Sequence, residues 1–543
     1  MELTRRAFLE SLFGAAFVAS GCGQGPASSR SQIEGELLGQ SAASGHLLRG
    51  DLRERIAHVT TLPAQRFAAV IAGGGPAGLS AARALARAEL HDYVLLELEP
   101  AVGGTSLGAS SLLTEYPWGA HYLPVPHRHN VALVALLQEM GVVGGVDDRG
   151  KLLVSEPHLV RAPEERLFYK GYWYPGQYLS AGASAADLAE RLRFEQLVAR
   201  WVGYRDVQGR RAFTIPLSHA SDAPELRALA AISAEAFLRR EGFHSRRLRW
   251  LLDYACRDDY GLTLAQASAW ALLFYFAARI EQPGDEASDF ITWPDGNHAL
   301  VRHLARASTG RIRSRMLVLD VAERDDAVEL LAWDGERDVG ARFVCERAIV
   351  ATPRFVTTRI VRSLRDATTP EAPFAYAPWL VANLHLRTRP RSHGTPLAWD
   401  NLLYESPSVG YVCATHQRGS DYGPTVLTYY LPLTDSDASR ARRRLFVGSY
   451  PDFRDAVLTD LERAHPGLAA VVARLDVFRW GHAMVRPEPS FMFSRARMAA
   501  HQPLERIHFA HSDLSGVALF EEAFDHGERA ARELLSALGR VPS

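Results

Sequence analysis

The sequence predicts an α/β chain of two domains, at least one of them discontinuous, and three observations carry that expectation. An apolar run of strand length at residues 67–72 leads into glycines at 73, 75 and 78 and then into the alanine-rich residues 80–88. Apolar residues recur at helical spacing through residues 183–205 and 223–280, whereas residues 375–430 are rich in β-branched and aromatic residues broken by Pro and Gly. At 543 residues the chain is also too long for a single hydrophobic core.

Taken in order, the chain opens with Thr4-Arg5-Arg6-Ala7-Phe8-Leu9, a twin-arginine pattern, followed by an apolar stretch to Ser20 that only Glu10 interrupts. About 14 helical residues span roughly 21 Å, short of the ~30 Å of a bilayer core. Residues 1–21 are therefore expected to be an export signal and not an anchor. Ala19-Ser20-Gly21-Cys22 fits a lipoprotein processing site, with Cys22 acylated and holding the protein to a membrane, and it fits simple cleavage and release equally well. Both readings place the protein outside the cytoplasmic membrane, in the periplasm. Residues 22–65 begin rich in Gly, Ser, Gln and Ala and are expected to form a solvated tether and N-terminal extension.

Residues 66–130 hold the best-defined motif. Gly73, Gly75 and Gly78 have the G-x-G-x-x-G spacing directly after a strand, with Pro76 and Ala77 opening the helix. The turn must be tight, the backbone must approach a pyrophosphate, and the helix must pack closely on its strand. Amide groups at the helix start, backed by about half a positive charge, suit a diphosphate. A second strand at residues 94–96 ends in Glu97, whose carboxylate can accept both hydroxyls of an adenosine ribose. A Rossmann-type dinucleotide-binding unit follows, and on these residues alone NAD and FAD both remain open.

Residues 131–289 are expected to be a largely helical part of a second, substrate domain. Strands at 316–321, 328–333 and 343–351, within residues 290–370, should complete the first domain. Residues 371–478 should supply the second domain's strands and a helix, making it an α+β unit with a mixed sheet and a helical insertion. Residues 479–543 then return to the first domain. No internal repeat is present.

Glu97 followed by Gly103-Gly104 resembles the second dinucleotide-binding signature of the FAD-dependent amine oxidase superfamily, which includes protoporphyrinogen oxidases and phytoene desaturases. Further segments resemble that superfamily in the same order. Gly119-Ala120-His121-Tyr122-Leu123 is similar to its G-A-x-W segment beside the flavin ring, and Trp293-Pro294-Asp295-Gly296-Asn297 to its P-x-G-G-x segment. Arg347 to Pro353, containing Ala351, resembles its V-x-A-T-P strand end. Ile507-His508-Phe509-Ala510, with Glu522-Ala523 and Gly527, resembles its closing segment. The resemblance spans residues 67 to about 535 and implies FAD as cofactor. Besides the glycine corner and Glu97, it implies contacts from Gly103, Gly104, Gly119, Ala120, His121 and Ala351, from Val318 on the strand at 316–321, and from Glu522 and Ala523 at the start of the last helix.

Three departures from the pattern matter. Thr105 replaces an Arg after Gly103-Gly104, so hydroxyls such as Thr105 and Ser106 must make those contacts. His511-Ser512-Asp513 stands in place of Gly-Glu, which leaves Asp513 to reach the ribityl chain from a shifted position. Glu521-Glu522 stands in place of a small residue, and both are expected to be first-turn residues favouring the helix dipole. The resemblance also implies a lysine near the flavin in many amine oxidases. This chain has only Lys151 and Lys170, neither in a matching segment, which argues against a strict amine oxidase.

Histidines are the remaining acid–base candidates, because imidazole titrates near neutrality. His121 and His482 are the two catalytic candidates, with His298 and His511 behind them. The aromatic residues 168–175 could line a substrate cage or plug a domain interface. No histidine pair has metal-ligand spacing. Cys256, Cys345 and Cys413 are odd in number and far apart, and so form no disulfide framework. A formal charge of −1 gives no reason to expect nucleic acid as partner. The expected activity is hydride transfer from a C–N or C–C bond of a small-molecule substrate to flavin N5, with reoxidation by oxygen or another acceptor. The alternatives are a desaturase- or isomerase-like flavoprotein acting on an isoprenoid or lipid, and a non-catalytic envelope protein that keeps the nucleotide fold.

Overall fold

The computed structural model describes residues 30–49, 62–148, 150–367 and 374–540. The expected leader, Cys22 and residues 50–61 of the expected tether lie outside the described residues. Within them the α/β expectation holds as a mixed architecture built on two large sheets.

The first sheet has seven strands. Gln65–Ala72 pairs in parallel with Tyr93–Leu96 on one side and with Val339–Val350 on the other. Ile312–Arg313 extends it beyond Tyr93–Leu96, and Ile507–Phe509 also pairs in parallel with Val339–Val350. Ala327–Asp334 and Met316–Arg324 continue it as an antiparallel meander. Gln65–Ala72 is apolar on both faces because both are covered: Ala69 and Ile71 face one core, Val70 and Ala72 the other. The former core holds the helix Pro76–Arg87 against the long helix Phe520–Ala537. They touch so closely that a Cβ on Gly527 would stand 2.3 Å from the Ala77 carbonyl oxygen. The Ser80 hydroxyl donates to the Phe524 carbonyl at 2.8 Å across the same seam.

The second sheet has eight strands in the order Leu37–Gly39, Val472–Val485, Tyr376–Leu386, Thr425–Pro432, Gly410–Cys413, Asp400–Leu403, Glu165–Tyr169 and Tyr172–Pro175. Helices Ala185–Gly203, Pro224–Ala230, Ala234–Arg240, Arg246–Tyr260 and Ala269–Ala277 build a separate apolar core. Serines mark their starts: Ser184, Ser233, Ser245 and Ser268 each accept an amide of the first turn.

Four stretches differ from the sequence reading. Leu37–Gly39, expected as tether, is a strand pairing in parallel with Val477, Phe478 and Arg479; its small polar neighbours disguised a three-residue strand that needs a partner from the far end of the chain. The helix Val131–Glu139 packs Leu133, Leu136 and Leu137 into the first sheet's core, on the other side of the expected boundary at residue 130. Glu165–Tyr169 and Tyr172–Pro175 put strands inside the block expected to be helical. Finally, residues 479–485 remain in the second sheet, and the chain rejoins the first at Ile507. Among the described residues no helix is long and apolar enough to cross a membrane. Cys256, Cys345 and Cys413 are buried, and among the described residues they form no disulfide.

Candidate active site

The glycine motif forms the strand-to-helix corner it was expected to form. Gly73 has φ +113°, and a Cβ there would stand 2.5 Å from the Ala351 carbonyl oxygen. One on Gly78 would stand 1.9 Å from the Gly73 carbonyl oxygen, so only glycine lets helix and strand approach this closely. Gly75 is the N-cap and has open space where a Cβ would sit, and Pro76 is the first helical residue. The amides of that first turn have no acceptor within the helix.

From this corner a single backbone surface runs to the segment expected beside the flavin ring. The Gly103 amide donates to the Gly74 carbonyl at 2.9 Å, and a Cβ on Gly104 would lie 3.4 Å from Gly75 Cα. Thr105 is exposed next to it and Ser106 is buried. The Thr105 carbonyl accepts the Ala120 amide at 2.9 Å, and a Cβ on Gly119 would collide with it at 2.1 Å. At the other end, Glu97 Oε2 accepts the Gly74 amide at 2.6 Å and Oε1 accepts the Glu99 amide at 2.8 Å. Each oxygen keeps a second lone pair for a sugar hydroxyl. Burial pushes the Glu97 carboxyl up to about 7 despite those amide bonds. The Met316 amide donates to the Glu97 carbonyl at 2.8 Å, which brings the strand carrying buried Val318 to this corner. A backbone cradle lined by obligatory glycines and ending in an acid fits FAD.

Asp513 Oδ2 accepts the Arg354 amide at 2.7 Å and the Tyr376 hydroxyl at 2.6 Å, and Oδ1 lies 3.1 Å from His511 Nδ1. Burial opposes its ionisation, but His511 and these donors hold the carboxyl below its usual range. Glu521 and Glu522 stand in the first turn of the last helix, as expected, and both are buried. Glu522 accepts the Leu217 amide at 2.8 Å and the Ser515 hydroxyl at 2.5 Å. Burial raises Glu521 to about 7 and Glu522 to about 8. Leu217 lies over this turn through its bond to Glu522. Ala523 follows on that turn, largely buried against the first sheet's core.

His121 sits in a box of aromatic rings. Its centroid is 4.9 Å from Tyr430 in a stacked arrangement, 5.4 Å from Trp399 and 5.1 Å from Tyr122. The Tyr430 hydroxyl donates to the Gly119 carbonyl at 2.9 Å, tying box and cradle together. Burial pushes His121 down to about 4, so its ring is neutral at neutral pH and a weak base. The Tyr122 hydroxyl lies 3.4 Å from Asp259 Oδ1 and 3.3 Å from an Arg279 nitrogen, and that same nitrogen donates to both Asp259 oxygens, at 2.8 and 2.9 Å.

His482 stands elsewhere. It stacks on Phe355 at 4.2 Å and lies 5.9 Å from Tyr376, with no ring contact to the His121 box. Burial, then Arg442, Arg49 and Arg359, push it down to about 3. His298, pushed down by its own burial, lies under Gly108. Lys151 and Lys170 are both exposed, the latter at φ +48° in the turn between two strands. In the aromatic stretch, Trp173 is core and stacks on His465, whereas Tyr169 packs edge-on against Tyr404. Trp399, on the predicted second sheet, was open in the sequence as a cage residue or an interface plug; Tyr430 and the Arg279–Asp259 pair were missed. The signal available was Asp258-Asp259, two adjacent acids inside a helix that continues into buried Tyr260.

Residues 76–535 match the family described as flavin containing amine oxidoreductase. Putrescine oxidase, in its wild type bound to putrescine, has the same fold at 17% identity and a TM-score of 0.64, covering 87% of this chain and all of that one. Cyclohexylamine oxidase from Brevibacterium oxydans is similar at 14% identity and a TM-score of 0.61, with 87% of this chain and 100% of that chain covered. No curated protein sequence matches. At these identities the structural likeness fixes the fold, and the family match, which spans most of the chain, goes further: the protein belongs to the flavin-containing amine oxidoreductases and is an FAD-dependent oxidoreductase.

Proposed function

We propose that the protein oxidises the carbon–nitrogen bond of an amine, the hydride leaving the carbon next to nitrogen for flavin N5. The observation that carries this reading is the aromatic box of His121, Tyr122, Trp399 and Tyr430, fastened through the Tyr430–Gly119 hydrogen bond to the backbone of the cofactor cradle. FAD, when bound, supplies the two-electron acceptor. The chain's part is to hold and orient. Aromatic faces accept both the alkyl and the ammonium portions of an amine. Because His121 is neutral, the box carries no positive charge to repel that ammonium. The Arg279–Asp259 pair fixes the Tyr122 hydroxyl and closes one wall against water.

Both structurally similar enzymes named above are named for amines, which supports the same class here. A long isoprenoid or lipid suits this site less well, because Tyr122, Arg279 and Asp259 make a wall of it polar. Anaerobic addition of amines to the purified yellow protein tests the reading: bleaching of the flavin band supports it. Bleaching by an isoprenoid and by no amine overturns it. Oxygen or another acceptor then reoxidises the flavin.

Export by the twin-arginine route rests on Arg5-Arg6 and the apolar stretch to Ser20. Cys22 is either acylated or unmodified after cleavage. The mass of the mature N-terminal peptide distinguishes these outcomes.

A further inference from the structure

The residues that precede the glycine corner do more than lengthen the second sheet. Leu37–Gly39 pairs with Val477, Phe478 and Arg479, and two residues later the chain has crossed to the first sheet. There Ser41 meets Glu99. Its amide donates to Glu99 Oε1 at 2.8 Å and its hydroxyl to Oε2 at 2.7 Å, so one residue grips both carboxylate oxygens. A single helical turn, Ala42–Gly45, follows, and a Cβ on Gly45 would lie 3.8 Å from Leu98 Cδ2. Leu48 then enters the core that holds Val70, Ala72, Val94 and Leu96, with Leu47 and Leu98 packed against it. Residues 37–48 are thereby fastened to both sheets.

Glu99 matters because of what it borders. The strand Tyr93–Leu96 has ended, and the Glu97 amide and carbonyl are still pinned, to the Arg313 carbonyl at 2.9 Å and the Met316 amide at 2.8 Å. Two residues on, the Glu99 amide donates to Glu97 Oε1 at 2.8 Å, while the Gly74 amide holds Oε2. Those two amides aim the carboxylate. Gly74 belongs to the rigid glycine corner, but Glu99 lies beyond the strand, and its amide points at Glu97 only while the turn stays in place. Among the described residues Glu99 forms no ion pair, and the bonds its carboxylate accepts are the two from Ser41. Bonds to a charged acceptor are the strong kind. A side chain that contacts a ligand keeps its direction only if the groups behind it are themselves held.

We propose that Ser41 is a positioning residue of the FAD site: by gripping the Glu99 carboxylate it keeps the Glu99 amide on Glu97, and so keeps the Glu97 carboxylate aimed at the adenosine ribose. Ser41 lies outside residues 76–535, the part of the chain that matches the family. The N-terminal extension is then a working part of the cofactor site. Nothing in this depends on which substrate the aromatic box accepts.

Exchange of the bound flavin in the holoenzyme for free FAD, or for the analogue whose adenosine lacks the 2′-hydroxyl, tests the assignment, with both affinities read by flavin fluorescence. The unmodified protein should prefer FAD at least tenfold. Ser41→Ala should weaken FAD about tenfold and change the analogue less than twofold, which removes the preference. Ser41→Thr, which keeps the hydroxyl, should restore it. A residue that merely stabilised the fold would weaken both flavins alike, and that result overturns the proposal. So does a preference that survives Ser41→Ala, or no preference in the unmodified protein. Because coupling between two sites is reciprocal, the unmodified holoenzyme supplies a second test. The amides of residues 41–45 should exchange with deuterium at least threefold more slowly with FAD bound than with the analogue bound. Equal exchange overturns the proposal without any variant having to fold.

Discussion

Two neighbouring aspartates on one helix end in opposite surroundings. Asp259 receives both its bonds to Arg279 and the approach of the Tyr122 hydroxyl, so its charge is met inside the fold. Asp258, one residue earlier, makes no hydrogen bond or ion pair among the described residues; burial, then Asp259 and Glu165, push its carboxyl up, and Arg279 and Arg257 act on it only from a distance. The first arrangement holds a wall in place, and the second leaves a carboxyl raised above its usual range. What separates the two is whether the counter-charge stands in contact with the acid.

The strongest way to break that contrast is to strip the met charge. Arg279→Met leaves Asp259 buried and alone, and urea unfolding should show a loss of about 3–5 kcal/mol. Adding Asp259→Asn to the same chain should recover most of it. On the other side the sign reverses: Asp258→Asn should stabilise the protein at pH 8 by about 1–2 kcal/mol, discounting for solvent that reaches this partly exposed acid. A destabilised Asp258→Asn protein would mean that an internal partner holds this acid after all.

Glu97 is a third buried acid, half engaged by backbone amides, and extends the comparison to the cradle. Glu97→Gln should weaken flavin affinity about tenfold, read by fluorescence on release of the flavin.

A pH series sharpens the contrast further. Glu165 and Asp258 are raised to about 7, above their ordinary values. Their contribution to the empty protein's stability is therefore complete below about pH 4 and lost as pH rises through 7. The smallest effect belongs to His121→Phe, which keeps a neutral flat ring. If imidazole is a wall and not a base, kcat should change less than about threefold and its pH profile should keep its shape, whereas a vanished limb would restore His121 as a catalytic base.

The cradle was legible because its demands are local. Gly73, Gly75 and Gly78 are needed for backbone reasons that a few consecutive residues express, and Glu97 follows at the end of the next strand. The grouping of acids was not legible. Glu165, Asp258 and Asp400 lie far apart in sequence, and only strand register and one helix face bring them together. Reasoning from titration near neutrality singled out His121 and His482, but burial lowers both, and the rings packed on them, Tyr430 on His121 and Phe355 on His482, come from distant segments. Glu521 and Glu522 open the last helix as the sequence implied, but their burial was not legible, because it comes from another segment, around Leu217.

Leu37–Gly39 lies alongside Val477, Phe478 and Arg479, residues synthesised almost last. That selvage of the larger sheet can be sewn only when nearly the whole polypeptide has emerged. Until then, or in any version trimmed past residue 40, the rim of Val472–Val485 stays bare, and an unguarded rim invites the same rim of a neighbouring molecule. Shortened forms should therefore clump before they unfold.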